Sequence, residues 1–547
     1  MFVKSEMIEM EQKKEAETTV NISSLYRGDK LLITESKIDI SPNEKVALIG
    51  RNGSGKSTLL ETIYSTSKQL PLENSIDFEG NIEIGKNTSI GYLEQDVRLE
   101  FNGTVKEYID NQVGERAEIY KRYEYLMDHI SKDPIYEKDF SNILTQMEDY
   151  SLWNYPLEID TVLNGLNIDN EILGRKIKSL SGGEATKIAL ASLLISKPNL
   201  ILLDEPTNNL DLNNIRFLED WLRKTKTSLV IVSHDREFLD KVIDTIWEID
   251  EESKKILRYG GNYSFYENEK ARQFEGRLRD FEEQERTKKR LQVDIKRLSK
   301  QANRFEGISN NDFYRAKGAK IAKSAKVRGR RVIRELEKIG KPEKPKLPQF
   351  VLRETDELNG NILNINNLTF GYNNKNIIEN FSLKINSGER ISVSGPNGIG
   401  KSTLLKILVG EIPLQNVKLG EDVKIGYIPQ SIIPNNPNQN ILSYMREHTL
   451  MNEEDLVDTL GKVLFANPVY LNVKDFSVGE LKRIQFAMMF ASAPNFLVLD
   501  EPTNHLDIHT LNMLERTLKK FKHTILVVSH DREFLRRIGI KEDIPLK

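Results

Sequence analysis

The sequence predicts two α/β domains of one plan joined by a long α-helical hairpin, and three observations predict it. A set of short motifs occurs twice in the same order, the mark of an internal duplication. Within each copy, strand-sized apolar runs alternate with helical patterns, as in a parallel sheet covered by helices. Between the copies lies a long charged segment with sparse apolar periodicity. A chain of 547 residues is also too long for one ordinary core.

The duplication can be followed residue by residue. Gly50-Arg-Asn-Gly-Ser-Gly55-Lys56-Ser57 recurs as Gly395-Pro-Asn-Gly-Ile-Gly400-Lys401-Ser402, an offset of 345 (395 − 50). Gly91-Tyr-Leu-Glu-Gln95 recurs as Gly426-Tyr-Ile-Pro-Gln430, an offset of 335 (426 − 91). Leu180-Ser-Gly-Gly-Glu184 and Phe476-Ser-Val-Gly-Glu480 stand 296 apart (476 − 180). So do Asp204-Glu-Pro-Thr-Asn208 and its second copy at Asp500–Asn504, and the two Ser-His-Asp-Arg-Glu-Phe-Leu runs around His234 and His530. The offset shrinks by 10 and then by 39, so the first copy carries insertions (345 − 335 and 335 − 296). The larger includes a charged, Tyr-rich stretch that reads as helix, about 105–150. These landmarks divide the chain into a lead-in (1–19), a first domain (20–265), a helical linker (266–347) and a second domain (348–547).

Each copy holds a glycine-rich turn between an apolar strand (Val46–Ile49; Ile391–Val393) and a helical Ser-Thr-Leu-Leu. In such a turn the glycines (Gly50, Gly53, Gly55; Gly395, Gly398, Gly400), Asn52 and Asn397 let backbone N–H groups curl around phosphates. Lys56 and Lys401 reach the β- and γ-phosphates, and the hydroxyls of Ser57 and Ser402, beside Thr58 and Thr403, face a Mg²⁺ ion. One match could be chance; two in the same strand–helix context are not. Asp204 and Asp500 end apolar strands, which places a carboxylate toward the Mg²⁺, and Glu205 and Glu501 follow as candidates for the attacking water. His234 and His530 follow the next apolar strand at the same spacing from those acids (234 − 204 and 530 − 500, both 30), which favours a γ-phosphate contact over a structural histidine.

Together these motifs resemble the ABC ATPase superfamily over nearly the whole chain outside the linker and the lead-in. The resemblance implies ATP and Mg²⁺ as ligands and a head-to-tail pairing of the cassettes. Lys56, Ser57, Gln95, Asp204, Glu205 and His234 would face Ser477 and Gly479. Lys401, Ser402, Gln430, Asp500, Glu501 and His530 would face Ser181 and Gly183. It also implies that Gln95 and Gln430 join the metal site, that Tyr26 and Tyr372 stack on adenine, and that Asp211 and Asp507 lie on the loop coupling the sites. The second signature departs from the pattern, with Val478 where the first has Gly182. A β-branched residue narrows the backbone options there, so the site built on Lys56 is expected to turn over differently from the one built on Lys401.

The chain has no cysteine, which excludes disulfides and Cys-ligated metals. Its longest apolar runs are strand-sized, and the Glu- and Lys-rich N-terminus does not read as a signal peptide. The net charge of −3 conceals a basic island: residues 266–347 hold 25 Lys+Arg against 13 Asp+Glu, a balance of +12 that leaves −15 for the rest. Arg315, Lys317, Lys320, Lys323, Lys326, Arg328, Arg330 and Arg331 stand together with no acidic residue among them. A solvated linker helix usually balances its charges, so this one reads as an RNA contact made through phosphates and shape. Gly307–Asp312 is the expected turn of the hairpin, and Phe305, Phe313 and Tyr314 near it either stack on bases or pack the tip.

Two fused cassettes, no membrane span and a basic interdomain hairpin resemble the ABC-F family of ribosome-associated ATPases. Gly260-Gly-Asn-Tyr-Ser264 fits that family's usual junction. The resemblance implies a cytoplasmic monomer that binds the 70S ribosome at the tRNA exit site in the ATP state. Its hairpin would be directed at peptidyl-tRNA and the peptidyl-transferase centre, with no membrane or DNA partner. The divergent second signature and Asn311-Asp-Phe-Tyr-Arg-Ala-Lys317 are similar to the Vga and Vml type, which protects ribosomes from antibiotics; lincosamides, pleuromutilins and streptogramin A are the expected drug class. A housekeeping translation factor of the same family is the first alternative. A transporter's ATPase subunit is disfavoured by the covalent pairing, and zinc-bearing DNA-repair ATPases by the missing cysteines.

Overall fold

The strands Leu200–Asp204 and Ser228–Val232 consist almost wholly of apolar, often β-branched residues, the composition of strands buried on both faces. They occupy the middle of a six-stranded sheet in a computed structural model. The structure describes residues 17–308 apart from 87, 130–135 and 209; residues 316, 318–320, 323–324, 326–327, 329–330 and 334; and residues 350–546 apart from 354, 356–357, 359, 373–374, 431–435, 450 and 465–467. The chain divides into two compact units, Met1–Tyr263 with Leu347–Lys547, and Ser264–Lys346.

In the first copy the strands are β1 (Thr18–Arg27), β2 (Lys30–Ile40), β3 (Lys45–Ile49), β4 (Ile76–Ile84), β5 (Ile90–Leu93), β6 (Leu200–Asp204), β7 (Ser228–Val232), β8 (Thr245–Ile249) and β9 (Ile256–Gly260). They form an antiparallel sheet of order β2-β1-β4 and a larger sheet of order β5-β6-β7-β3-β8-β9. All neighbours in the larger sheet are parallel except β8 and β9. The second copy repeats the plan with β10 (Asn361–Tyr372), β11 (Lys375–Asn386), β12 (Arg390–Ser394), β13 (Val417–Leu419), β14 (Ile425–Ile428), β15 (Phe496–Asp500), β16 (Thr524–Val528) and β17 (Glu542–Pro545). Its sheets run β11-β10-β13 and β14-β15-β16-β12-β17. In both copies the glycine-rich turn, the acidic pair and the histidine therefore follow three adjacent parallel strands at their carboxyl ends, where open α/β sheets bind ligands. A core of Val20, Ile33, Val46, Leu59, Leu202 and Val230 joins the two sheets of the first copy through the helix Lys56–Ser67.

Between β5 and the signature the first copy has helices Val105–Val113, Glu115–His129, Tyr136–Asp149 and Tyr155–Gly165, against Ile441–His448 and Glu453–Leu464 in the second. The isolated bridges Thr104–Lys176 and Asn440–Asn472 stand at matching places and bracket the surplus of the first copy, within which Glu115–His129 and Tyr136–Asp149 pack as a pair. They hold together by aromatic contacts such as Tyr123 on Phe140, ring centroids 6.2 Å apart.

The other unit contains most of a 46-residue helix, Tyr263–Ile308, about 69 Å long at 1.5 Å per residue. It starts three residues ahead of the expected linker boundary (266 − 263). Lys320, Lys323, Lys326 and Arg330 are helical and exposed. Arg315, Lys317, Arg328, Arg331, Phe313, Tyr314, most of the expected turn and the lead-in up to residue 16 lie outside the described residues, as does the side chain of Phe305.

Candidate nucleotide sites

Gly55 and Gly400, the last residues before the helices Lys56–Ser67 and Lys401–Leu408, take left-handed φ values of 105° and 103°. A Cβ there would stand 2.9 Å from Leu32 Cβ and 2.4 Å from Ile377 Cγ2, so a side chain fits neither position. The turns close on their own lysines. Lys56 Nζ donates to the carbonyls of Gly50 (2.9 Å) and Arg51 (3.0 Å). Lys401 Nζ donates to Gly395 (2.7 Å), Pro396 (3.1 Å) and Asn397 Oδ1 (3.4 Å). Burial pushes both ammonium pKa values down; Glu205, Asp507 and Asp204 oppose it at Lys56, and Glu501, Asp500 and Asp211 at Lys401. Each lysine thus feels an aspartate from the other copy.

Both carboxylate oxygens of Asp204 and Oδ1 of Asp500 are buried without a hydrogen-bond partner among the described residues. Burial raises both carboxyl pKa values, against the pull of Ser57 and Lys56 at Asp204 and of Ser402, Lys482 and Lys401 at Asp500. Unpartnered carboxylate oxygens beside a hydroxyl are a donor set for a hard divalent cation, with the remaining ligands coming from phosphates and water. The residues therefore fit Mg²⁺, and no described cluster of three or more His, Asp or Glu offers a protein-only cage.

Glu205 and Glu501 adopt φ of 50° and 44°, a left-handed backbone uncommon outside glycine. Their N–H groups donate to the ends of β7 and β16, Val232 and Val528, both at 2.8 Å. Burial and the neighbouring aspartate raise both carboxyl pKa values, that of Glu501 to about 8. His234 Nε2 lies 3.3 Å from Glu205 Oε1, and His530 Nε2 lies 3.4 Å from Glu501 Oε1 and 3.2 Å from Asn397 Oδ1. Burial keeps both imidazoles neutral, His530 at about 4.

The two composite sites differ. A cavity of about 720 Å³ is bordered by Gly400, Lys401, Ser402, Thr403, Gln430, Asp500, Glu501 and His530 from one copy and by Ser181 and Gly183 from the other. Asn397, Gly398, Glu205 and His234 also border it. Every residue expected there except Gly395 and Tyr372 is thus gathered; Tyr372 is 47% exposed and packs edge-on against Phe370. Opposite Lys56 the copies are in contact instead. Asn52 Nδ2 donates to the His505 carbonyl at 3.0 Å, and a Cβ on Gly479 would stand 2.7 Å from Asn52 Nδ2 and 2.6 Å from the His505 carbonyl oxygen. Val478 is 53% exposed and Ser477 caps its helix through the Glu480 N–H. Gln95 is exposed and Tyr26 half-buried.

Sequence reasoning missed the seam between the copies. Arg236 donates to both oxygens of Glu515 (3.1 and 3.2 Å), and Arg532 meets Glu237 at 2.9 Å and Glu219 at 3.6 Å. Asp235 and Asp531, capping helices Arg236–Val242 and Arg532–Arg537, are pushed by burial up to about 7 and about 6, with Asp531 adding to the shift at Asp235. A raised carboxyl binds its proton more tightly in the folded chain, so its stabilisation is lost as pH rises through 6 and 7. His530, held low, acts oppositely: its contribution is present above its unfolded pKa of about 6.5 and lost as pH falls toward 4. Glu501, raised to about 8, acts in the same sense as Asp235, so the melting temperature is expected to fall between about pH 6.5 and pH 8. In Asp235→Asn, Asp531→Asn, which keeps the caps, thermal melts should show a flatter slope.

The ABC transporter family matches residues 33–208 and 378–504. The chain is 32% identical to the putative ATP-binding protein YdiF of Bacillus subtilis, over 95% of this chain and 79% of that one. It is 31% identical to the probable ATP-binding protein YheS of Escherichia coli K12 (94% and 76%) and 29% identical to that organism's ATP-binding protein Uup (93% and 77%). Among solved structures, an archaeal ribosome recycling factor in complex with a ribosomal stalk protein has the same fold, with a TM-score of 0.55 at 18% identity, covering 95% of this chain and 86% of that one. The doubled phosphate loops, acids and histidines, set at the ends of parallel strands and matched twice, establish that the chain belongs to the ABC transporter family as two ATP-binding cassettes in tandem, and that it hydrolyses ATP.

Proposed function

We propose that this ATPase is a cytoplasmic, ribosome-binding protein of the ABC-F type, acting as a monomer. It enters the tRNA exit site of the 70S ribosome with ATP bound and directs its linker hairpin at peptidyl-tRNA and the peptidyl-transferase centre. The observation that carries the reading is the uncompensated basic stretch 315–331 between two cassettes, with Lys320, Lys323, Lys326 and Arg330 exposed on helical residues. No described helix is long and apolar enough to cross a membrane. The Vga- and Vml-like features support a role in protecting the ribosome from lincosamide, pleuromutilin and streptogramin A antibiotics by reshaping their site.

In the chemistry this implies, Lys56 and Lys401 leave their own loop carbonyls for the β- and γ-phosphates. Ser57 with Asp204 and Ser402 with Asp500 would hold Mg²⁺, which when bound would supply charge neutralisation on the phosphates. Glu205 and Glu501 orient the attacking water and accept its proton, and His234 and His530 donate to the γ-phosphate. Ser181, Gly183, Ser477 and Gly479 complete each site from across the seam, so ATP joins the cassettes and hydrolysis lets them part.

A Glu205→Gln, Glu501→Gln chain should therefore sediment with ribosomes in ATP, and its absence from the ribosomal pellet would end this reading. Lys320→Glu, Lys323→Glu, Lys326→Glu should weaken that binding by at least tenfold and flatten its dependence on salt, each lost phosphate contact removing about one unit of slope. Unchanged drug susceptibility after expression in a sensitive host would favour a housekeeping translation factor.

A further inference from the structure

The helix Val478–Ala491 begins at the second signature, and its first turn faces Asn52 through Gly479. One turn on, Lys482 is 1% exposed, and its Nζ donates to the backbone carbonyl of Glu501 at 2.8 Å. Glu501 is the left-handed residue at the end of β15, a backbone state that persists only where its surroundings impose it. In the first copy, Glu205 has the same backbone, and its carbonyl takes the Asn208 N–H at 3.1 Å. The matching bond from Asn504 to Glu501 is stretched to 3.4 Å, and the ammonium supplies the shorter contact. The residue in register with Lys482 is Thr186 (482 − 296), whose hydroxyl turns back to the Gly182 carbonyl at 3.0 Å. Nothing at the first catalytic loop repeats this cation among the described contacts. Asp500 and Glu501 stabilise the buried charge, which would otherwise be costly.

We propose that Lys482 is a positioning residue for the composite site built on Lys401, clamping the Glu501 carbonyl from behind and so aiming its carboxylate at the water. The helix that presents the signature to one site thereby fastens the catalytic loop of the other. This rests on Glu501 being the catalytic carboxylate of its site.

The test uses the full chain carrying Glu205→Gln, so that phosphate release reports the other site. Lys482→Met keeps length and removes the donor; kcat should fall about tenfold or more, with KM for ATP within about twofold because Lys401 and its loop are untouched. Lys482→Gln, which can still donate to the carbonyl, should recover part of that loss. A Met chain with unchanged kcat, or one whose KM alone rises, overturns the proposal. If Lys482→Met lowers the melting temperature, the Gln chain decides: intermediate kcat supports the clamp, and kcat no better than that of the Met chain overturns it. Glu501→Gln in the same background separates the two claims. Retained hydrolysis there removes the role of Glu501, whereas its loss beside a fully active Met chain removes only the role of Lys482.

Discussion

Glu501→Gln is expected to lower steady-state ATP hydrolysis by about two to three orders of magnitude, and Glu205→Gln by less than about tenfold. The difference follows from the two seams. Around Glu501, the loop lysine, the histidine and an unmodified signature border one cavity large enough for a nucleotide. At the other seam Val478 replaces a glycine, and Gly479 stands against Asn52 and the His505 carbonyl, so ATP has to part those contacts before it meets the signature. Phosphate release from the two single variants, compared with the parent at saturating ATP, measures the effect. Equal rates from both would show that the sites share the work and that Val478 is a tolerated substitution.

Arg236→Ala should cost about 3 kcal/mol of folding stability, the penalty for leaving a buried carboxylate without its main partner. Arg236 and Glu515 are 4% and 6% exposed, and two of the three guanidinium nitrogens, Nε and NH2, are themselves buried without a hydrogen-bond partner among the described residues. Among the described residues, Glu515 would keep the longer contact to Arg537, at 3.4 Å. Replacing both partners by apolar residues, Arg236→Met with Glu515→Leu, should recover most of the loss, since the pair offsets its own desolvation poorly. Denaturant melts of the two singles and the double give the coupling; additive losses would mean that the contact contributes nothing.

The sequence already carried the phosphate loops, the acidic pairs and the histidines, because each needs a fixed residue type at a fixed distance from a strand end. Repetition then turned single motifs into a register. That register could also have exposed Lys482, as the one lysine standing opposite a threonine in the helix after the signature, but a buried lysine has no sequence signature until its carbonyl partner is located. The seam was illegible for a different reason. Arg236 and Glu515 are 279 residues apart and belong to helices whose local patterns explain them as ordinary amphipathic surfaces. Which seam holds a cavity was equally out of reach, since it depends on Asn52 meeting a backbone carbonyl rather than on any motif.

The ion pairs of the seam carry one more meaning. Arg236 with Glu515 becomes Arg532 with Glu219 when 296 is added to the first and subtracted from the second, and Lys241 with Glu219 becomes Arg537 with Glu515 when 296 is added to both. One patch meets a copy of itself about a pseudo-twofold axis, the isologous geometry of a homodimer. The present chain is thus a dimer written as a single polypeptide, and covalent fusion freed its halves to diverge at the nucleotide while the axis stayed fixed. Neither order of the halves along the chain is demanded by this contact, so a circularly permuted protein with the second cassette leading would meet the same complementary surface.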